Sequence, residues 1–279
     1  MKPVDVVQGD GPILLGLPHT GTYLPPKVGA ALNARGRGLG DTDWHIEALY
    51  DGLLGGVTTV RATFHRYVID ANRDPAGVSL YPGKATTGLV PLTDFDGNDI
   101  WTTPPADHDT AARRLAFHTP YHAALTAEME RVHARHGVAI IFDCHSIRSR
   151  IPFLFDGQLP DFNIGTNDGA TCAPAVESAV VDVCAGATGY TSILNGRFKG
   201  GWTTRHYGQP DKNWHAIQME LAQSSYLTAE ASPWTYDRAK AARLRAYLGE
   251  IFTRLAKLAP RLGAARSGSN SFSQRWETP

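Results

Sequence analysis

The chain is poor in cysteine and has no surplus of charge. Its 279 residues include three cysteines, Cys144, Cys172 and Cys184, and none belongs to a CxxC pair. So few cysteines, in an odd number, exclude a disulfide framework and favour a reducing compartment, and no CxxC pair suggests a structural zinc site. The 27 basic residues balance the 27 acidic ones. No overall field therefore attracts nucleic acid or an anionic membrane surface, and we predict a small-molecule substrate.

Long apolar runs are also missing. No stretch of about 18 consecutive apolar residues exists for a membrane span, and the first ten residues, MKPVDVVQGD, lack the apolar core of a signal peptide. We predict a cytoplasmic protein without nucleic-acid or membrane partners. The apolar content of 42% suits one packed domain, expected over residues 1–265 and followed by a polar tail over residues 266–279 with Trp276 as an anchor. The sequence leaves the oligomeric state open.

Short apolar runs alternate with helical patterns along the chain. Strands or extended segments are predicted at residues 13–17, 57–63, 66–70, 137–143, 191–195 and 216–221, and helices at 41–56, 109–136, 171–187 and 236–258. Pro120 predicts a kink or break in the second helix. The alternation predicts an α/β fold, and residues 72–103, rich in Gly, Pro, Asp and Thr, predict a long irregular excursion of the kind that is often functional.

Two histidines follow buried strands. His19 lies just beyond the first strand in LPHTGTYLP, and His145 ends the apolar run IIFDCHS. Side chains at the carboxyl ends of such strands project into the crevice where α/β proteins bind ligands. With one acid they could supply the three protein ligands of a catalytic zinc, and the available acids are Asp41, Asp43 and Glu47. The alternative is a pair of hydrogen-bonded loop histidines.

Two further groups of carboxylates bear on this hypothesis. Histidine ligands need an acceptor for the second ring nitrogen, which Asp70 or Asp143 could provide. Glu220 follows an apolar stretch in IQMELAQSSYL, where a charge is costly unless it is paired or functional. Beside a metal-activated water it could act as a general base, whereas the alternative is a buried salt bridge to an arginine.

Two basic segments could bind an anionic substrate. Guanidinium groups bind carboxylates in a bidentate manner. The segment FHRYVIDANRDP offers Arg66, Asn72 and Arg73. The segment NGRFKGGWTTRHYGQP surrounds two adjacent glycines with Arg197, Lys199, Arg205 and His206. Ordinary surface or structural ion pairs are the alternative for each arginine taken singly.

Nucleophilic catalysis by a side chain is disfavoured. Cys144 and His145 are neighbours on a predicted strand, and neighbours on a strand point to opposite faces. Ser146 follows without a GxSxG turn. Neither residue therefore offers an activated nucleophile.

Seven blocks of sequence together resemble the N-formylglutamate amidohydrolase family, also called N-formylglutamate deformylases. They run in order from about Leu17 to Leu227 and read LPHTGTYLP, DTDWHIEALYD, HRYVIDANRDP, PYHAAL, IIFDCHSIRS, NGRFKGGWTTRHYGQP and WHAIQMELAQSSYL. The resemblance implies a mixed, mainly parallel sheet flanked by helices, with a core like that of the zinc exopeptidases in the phosphorylase/hydrolase-like fold. It also implies zinc-dependent hydrolysis of N-formyl-L-glutamate to formate and L-glutamate, the last step of a histidine-degradation route.

The resemblance also implies roles for single residues. The expected ligands of one zinc ion are His19, Asp43 and His145, with Asp41 and Glu47 as alternative third ligands, and the expected general base is Glu220. Another divalent ion could replace zinc. The predicted contacts of the small anionic N-acyl amino acid are Arg66, Asn72, Arg73 and Arg205, and His206 is predicted to support the oxyanion. Arg148 stands where a small or apolar residue is expected after HS.

Two other functions remain open at this stage. One is a zinc-dependent deacylase or amidase that acts on another N-acyl amino acid or on a peptide. The other is a metal-binding protein without turnover, in which Glu220 is structural.

Overall fold

One sheet of seven strands organises the part of the chain that the computed structural model describes, residues 1–79, 83 and 86–267. The strands are β1 (Val4–Val7), β2 (Ile13–Leu17), β3 (Thr58–Ala62), β4 (Ala139–Ile147), β5 (Phe162–Gly165), β6 (Ser192–Leu194) and β7 (Trp214–Ala222). Their order in the sheet is β1-β3-β2-β4-β7-β5-β6. Strands β3, β2, β4 and β7 are parallel, β1 and β5 are antiparallel to their inner neighbours, and β6 is parallel to β5. The predicted mixed, mainly parallel sheet is confirmed.

Helices cover both faces of this sheet. They are α1 (Pro26–Ala31), α2 (Ala34–Arg37), α3 (Ile46–Tyr50), α4 (Asp107–Arg113), α5 (Thr119–His136), α6 (Pro174–Ala185), α7 (Trp202–Tyr207) and α8 (Arg238–Ser267). A π-helical turn joins α4 to α5, and Pro120, at the predicted break, lies in the first turn of α5. Helix α5 ends at Gly137, whose φ of 67° is a left-handed conformation that glycine adopts without strain.

The central strands are buried on both faces, which explains their continuous apolar runs. Along β4, Ile140, Phe142 and Cys144 face the core shared with α6 and α8, whereas Ile141 packs on the opposite side with α5. Period-two alternation of side chains produces this division. Strand β4 extends past residue 143, the predicted end of the strand, so the candidate ligand His145 lies within it.

Three sequence predictions need correction. Residues 66–70 form turns and not an extended strand, because Val68 donates to the His65 carbonyl at 2.9 Å. Residues 41–56 contain a helix of only five residues, since His45 before it adopts a left-handed φ of 62°. Helix α8 continues to Ser267, nine residues beyond the predicted end at 258. The short strands β1 and β5 were not anticipated.

The described helices include none that is long and apolar enough to cross a membrane. Most of the predicted tail, residues 268–279, lies outside the described residues, and so does Trp276. The single domain over residues 1–265 stays a prediction.

Candidate active site

The carboxyl edge of three neighbouring strands brings the predicted catalytic groups together. His19 follows β2 by two residues, His145 lies in β4 and Glu220 lies in β7. In the parallel register of β4 and β7, His145 is the direct partner of Glu220. Segments far apart in sequence therefore meet at the crevice edge that the strand pattern predicted.

Three ligand-type atoms converge at this edge. The Nδ1 atoms of His19 and His145 lie 3.2 Å apart. Oδ2 of Asp43 lies 3.2 Å from Nδ1 of His145 and 3.7 Å from Nδ1 of His19. All three residues are buried. They form the one cluster of metal-ligand type found in the described residues.

Carboxylates contact the far nitrogen of each ring. Nε2 of His19 lies 2.7 Å from Oδ1 of Asp70, and Nε2 of His145 lies 3.0 Å from Oδ1 of Asp143. A carboxylate only accepts, so donation from Nε2 of His19 to Asp70 leaves Nδ1 of that ring with its lone pair toward Asp43. The Asn72 amide nitrogen is a second neighbour of His145 Nε2, at 3.0 Å. The Asp70 and Asp143 contacts suit histidine metal ligands.

Of the three acids considered for the third ligand, the structure brings Asp43 to the histidines. Oδ2 of Asp41 instead accepts from the backbone N–H of Phe95 at 3.0 Å, and burial raises the pKa of Asp41 to about 7. Glu47 is exposed. Desolvation opposes the charge of Asp43, but His145, His19 and Arg66 outweigh it and hold its pKa below the usual range.

Glu220 is buried beside this cluster. In the described part of the chain it forms no ion pair with an arginine, and its Oε2 accepts from Nε2 of Gln218 at 3.0 Å. Burial raises the pKa of Glu220 to about 7, although His145 and Arg66 oppose the rise. A carboxyl group that changes protonation state near neutral pH is suited to general acid and base catalysis.

These groups line one cavity. It encloses about 630 Å³ of empty space, its open mouth included. Its lining includes the predicted residues His19, Arg66, Asn72, Arg73, His145 and Glu220. The excursion of residues 72–103 supplies one wall through Asn72, Arg73, Thr86, Thr87 and Phe95.

The cations of the cavity are anchored by neighbours. The Arg66 guanidinium is buried over the ring of Phe95, 4.9 Å from its centroid, and its Nη2 lies 3.5 Å from Oδ1 of Asp43. Arg73 donates from Nε to the Thr87 carbonyl at 2.9 Å and lies 3.8 Å from Asp70. The arginines are therefore held in place before any substrate binds.

Two predicted site residues neither line the cavity nor belong to the cluster of His19, Asp43 and His145. Arg205 donates from Nε to the Gly200 carbonyl at 3.0 Å, and His206 is exposed and stacks on Trp202, 4.2 Å away. Neither is among the lining residues of the cavity. Arg148, the departure from the family pattern, pairs with Asp96 of the excursion at 2.9 Å. Cys144 is buried in the core on the other face of β4.

The cavity residues that were not predicted include Gln218 and Arg197. Gln218 lies two residues before Glu220 on the same strand face, so the alternation of β7 could have indicated it. Arg197 was noted only as part of a basic segment, and its Nε donates to the Leu154 carbonyl at 3.2 Å. No local signal in the sequence distinguishes Arg197 from Arg205.

Fold and site together define an α/β protein with a candidate metal centre and a buried acid at the carboxyl edge of a parallel sheet. The profile of the N-formylglutamate amidohydrolase family matches residues 11–227. The N-formylglutamate deformylase of Pseudomonas aeruginosa is 46% identical over 253 residues, which cover 89% of this chain and 94% of that protein. The enzyme of the same name from Pseudomonas putida is 47% identical over 238 residues, covering 84% and 88%. The chain belongs to the N-formylglutamate amidohydrolase family.

Two solved structures share the fold of this chain. The crystal structure of N-formylglutamate amidohydrolase from Ralstonia eutropha superposes with a TM-score of 0.77 at 28% identity, covering 94% of this chain and 99% of that one. A gene product of Agrobacterium tumefaciens has a TM-score of 0.68 at 18% identity over 97% of each chain, and shares the fold.

Proposed function

We propose that the chain hydrolyses N-formyl-L-glutamate to formate and L-glutamate, with one divalent metal ion, zinc, bound by His19, Asp43 and His145, and with Glu220 as the general base. The observation that carries the proposal is the convergence of three ligand atoms within 3.7 Å beside a buried acid. The names of the two deformylase relatives indicate the substrate. The reaction fits the end of a histidine-degradation route.

The donor set supports a bound cation. Nδ1 of His19, Nδ1 of His145 and a carboxylate oxygen of Asp43 face one another at 3.2 to 3.7 Å. Such an arrangement is repulsive unless positive charge lies among the three atoms. Two histidines and one carboxylate are a common protein ligand set of catalytic zinc. The same set accepts other divalent ions, so zinc is the proposal and not the only ion that fits.

A bound divalent ion acidifies water and polarises a carbonyl oxygen. Glu220 takes a proton from water while the water oxygen bonds to the formyl carbon. The C–N bond then breaks, Glu220 returns the proton to the departing nitrogen, and formate and the free amine leave. Burial raises the pKa of Glu220, which makes this carboxylate a stronger base than an exposed glutamate and suits it to the proton transfer.

Three side chains of the cavity wall, two of them cationic, serve the two carboxylates of the substrate. We assign this role to Arg66, Asn72 and Arg73, which line the cavity next to the reacting groups. We assign no role in the reaction to Arg205 and His206, because they neither line the cavity nor belong to the ligand cluster.

The test is formate release from N-formyl-L-glutamate by the purified protein. We expect activity that is lost on chelation, returns with zinc and falls at least about 1,000-fold in a folded, metal-loaded Glu220→Gln variant. N-acetyl-L-glutamate serves as the comparison substrate and should react far more slowly. A metal-loaded wild type that releases acetate but no formate would instead identify a deacylase, and one that cleaves neither would support a binding protein without turnover.

A further inference from the structure

The first turn of α7 holds two side-chain amides of the cavity. The backbone N–H of Gly201 donates to Oε1 of Gln218 at 2.7 Å, and the backbone N–H of Thr203 donates to Oδ1 of Asn72 at 2.8 Å. A backbone N–H only donates, so the oxygen of each amide must face α7. The NH₂ group of each amide is thereby turned toward the catalytic groups.

The amide of Gln218 contacts the proposed general base. Its Nε2 donates to Oε2 of Glu220 at 3.0 Å. The two residues lie on the same face of β7 because they are two positions apart. Gln218 is 4% exposed and Glu220 is 7% exposed, so water competes little for this hydrogen bond. Buried hydrogen bonds to a carboxylate are stronger and more directional than those in water.

Gly201 is required for this arrangement. A Cβ atom built on Gly201 would lie 2.3 Å from Nδ2 of Asn72 and 2.6 Å from its Cγ and Oδ1. Only a residue without a side chain therefore lets the α7 backbone reach Gln218 while Asn72 keeps its place. On the other side, Nδ2 of Asn163 donates to the Glu220 carbonyl at 3.1 Å and fixes the backbone of the base.

We propose that Gln218 is a positioning residue that acts through Glu220. By donating to Oε2, it fixes the plane of the carboxylate and leaves Oε1 as the atom that takes the proton from water. The inference rests on the proposed general-base role of Glu220. It extends that role to a residue that touches no reacting atom.

The experiment compares Gln218→Met with Gln218→Glu in the full-length, metal-loaded protein. Methionine keeps the volume of the side chain but cannot donate a hydrogen bond to Glu220. We therefore expect kcat to fall about 10- to 100-fold, which is part of the rate enhancement that a general base supplies. Glutamate at position 218 keeps the shape of the side chain and the oxygen that accepts from Gly201. It places a second carboxyl group next to Oε2 of Glu220, so kcat should also fall. KM for N-formyl-L-glutamate and the metal content should change less than about threefold in both variants, because neither the arginines nor the ligands are touched.

Gln8→Met is the matched control. Nε2 of Gln8 donates to Oε1 of Glu128 at 2.5 Å, a pair of the same chemistry outside the cavity lining. Its removal should leave kcat, KM and metal content at the wild-type values.

The outcomes separate the inference from the function on which it rests. Wild-type kcat in either folded Gln218 variant, or a rise in KM alone, overturns the positioning role. If the wild type itself releases no formate, the proposed function has failed. The orientation of the Glu220 carboxylate is then tested by comparing crystal structures of the wild type and the Gln218 variants. A Glu220 carboxylate that is rotated in the Gln218 variants supports the positioning role, and an unchanged carboxylate overturns it. If Gln218→Met does not fold, the same two measurements on Gln218→Glu decide.

Discussion

Asp70 contacts His19 through one carboxylate oxygen and also orders the loop that follows it. Its Oδ1 lies 2.7 Å from Nε2 of His19 and accepts from the backbone N–H of Asn72 at 2.8 Å. Asp70→Asn replaces an obligatory acceptor by an amide, which no longer fixes the ring tautomer. Loss of such a partner typically lowers metal affinity about 10- to 100-fold.

We therefore expect Asp70→Asn to lose zinc to a competing chelator at correspondingly lower chelator concentration. The control is Asp74→Asn in the same loop, where Oδ1 only accepts from the backbone N–H of Ala76. Equal zinc affinity of wild type and Asp70→Asn would show that the carboxylate does not support the ligand.

The ionisation of Glu220 sets the expected pH dependence. Burial raises its pKa to about 7, and the base must be deprotonated to act. A bound divalent ion adds positive charge and lowers this pKa, so kcat/KM should decline as the pH falls through a value at or below about 7. The measurement is kcat/KM between pH 5 and 9, with metal content checked at each pH. An increase in kcat/KM toward acid pH would contradict the assignment of Glu220 as the base.

At the scale of elements, α5 and the π-helical turn before it anchor the loop that carries Asn72 and Arg73. Nε2 of His122 donates to the Ala71 carbonyl at 2.8 Å, and Nε2 of His118 donates to the Arg73 carbonyl at 3.0 Å. Burial lowers the pKa of both imidazoles. Neutral rings with the proton on Nε2 are therefore the form that holds the loop.

His122→Phe should loosen this loop while keeping an aromatic ring. We expect a several-fold rise in KM for N-formyl-L-glutamate and a loss of about 1 to 3 kcal/mol in the free energy of unfolding, since the Ala71 carbonyl loses its partner. His206 lies in the same surface pocket as His118 and His122 but is exposed. The variant His206→Ala should change kcat and KM less than about twofold. A large loss of kcat in His206→Ala would restore the catalytic role that the sequence suggested.

The same elements show why the sequence predicted part of the site. Buried strands with polar residues at their carboxyl ends have a strong periodic signal, so His19, His145 and Glu220 could be found. The segment of residues 195–210 is predicted as a binding loop, and its first part does line the cavity through Arg197 and Gly201. Residues 202–207 instead form α7, and neither Arg205 nor His206 is among the lining residues. A six-residue helix between glycines is too short for a pattern of helical period to be recognised.

Over the whole molecule, the sheet was more predictable than the path of the loops. The choice of Asp43 over Asp41 depends on the turn before α3, where Asp43 donates to the His19 carbonyl at 3.1 Å through its backbone N–H. This contact joins two distant points of the same connection between β2 and β3, and no local pattern encodes it. The excursion of residues 72–103 was located by composition, but its contribution to the cavity wall follows only from its packing.

Buried histidines link the stability of the whole fold to pH, and His215 is the clearest case outside the site. It lies in β7 with 1% exposure, and its Nδ1 accepts from the backbone N–H of Ala173 at 3.2 Å. Burial lowers its pKa from 6.5 to about 4. Between these values the unfolded chain binds more protons than the folded one, so stability is fully present above about pH 6.5 and is lost as the pH falls toward 4.

His215→Gln keeps an acceptor for Ala173 but removes the titrating group. The free energy of unfolding of the wild type should therefore fall more steeply between pH 6.5 and 4 than that of the variant, by up to about 3 kcal/mol in total. The measurement is urea unfolding at several pH values in the presence of a chelator, so that metal binding does not contribute. His108→Gln, whose side chain is 85% exposed in the wild type, should retain the wild-type slope. A His215→Gln variant with that same slope would show that His215 is protonated equally in the folded and unfolded chains.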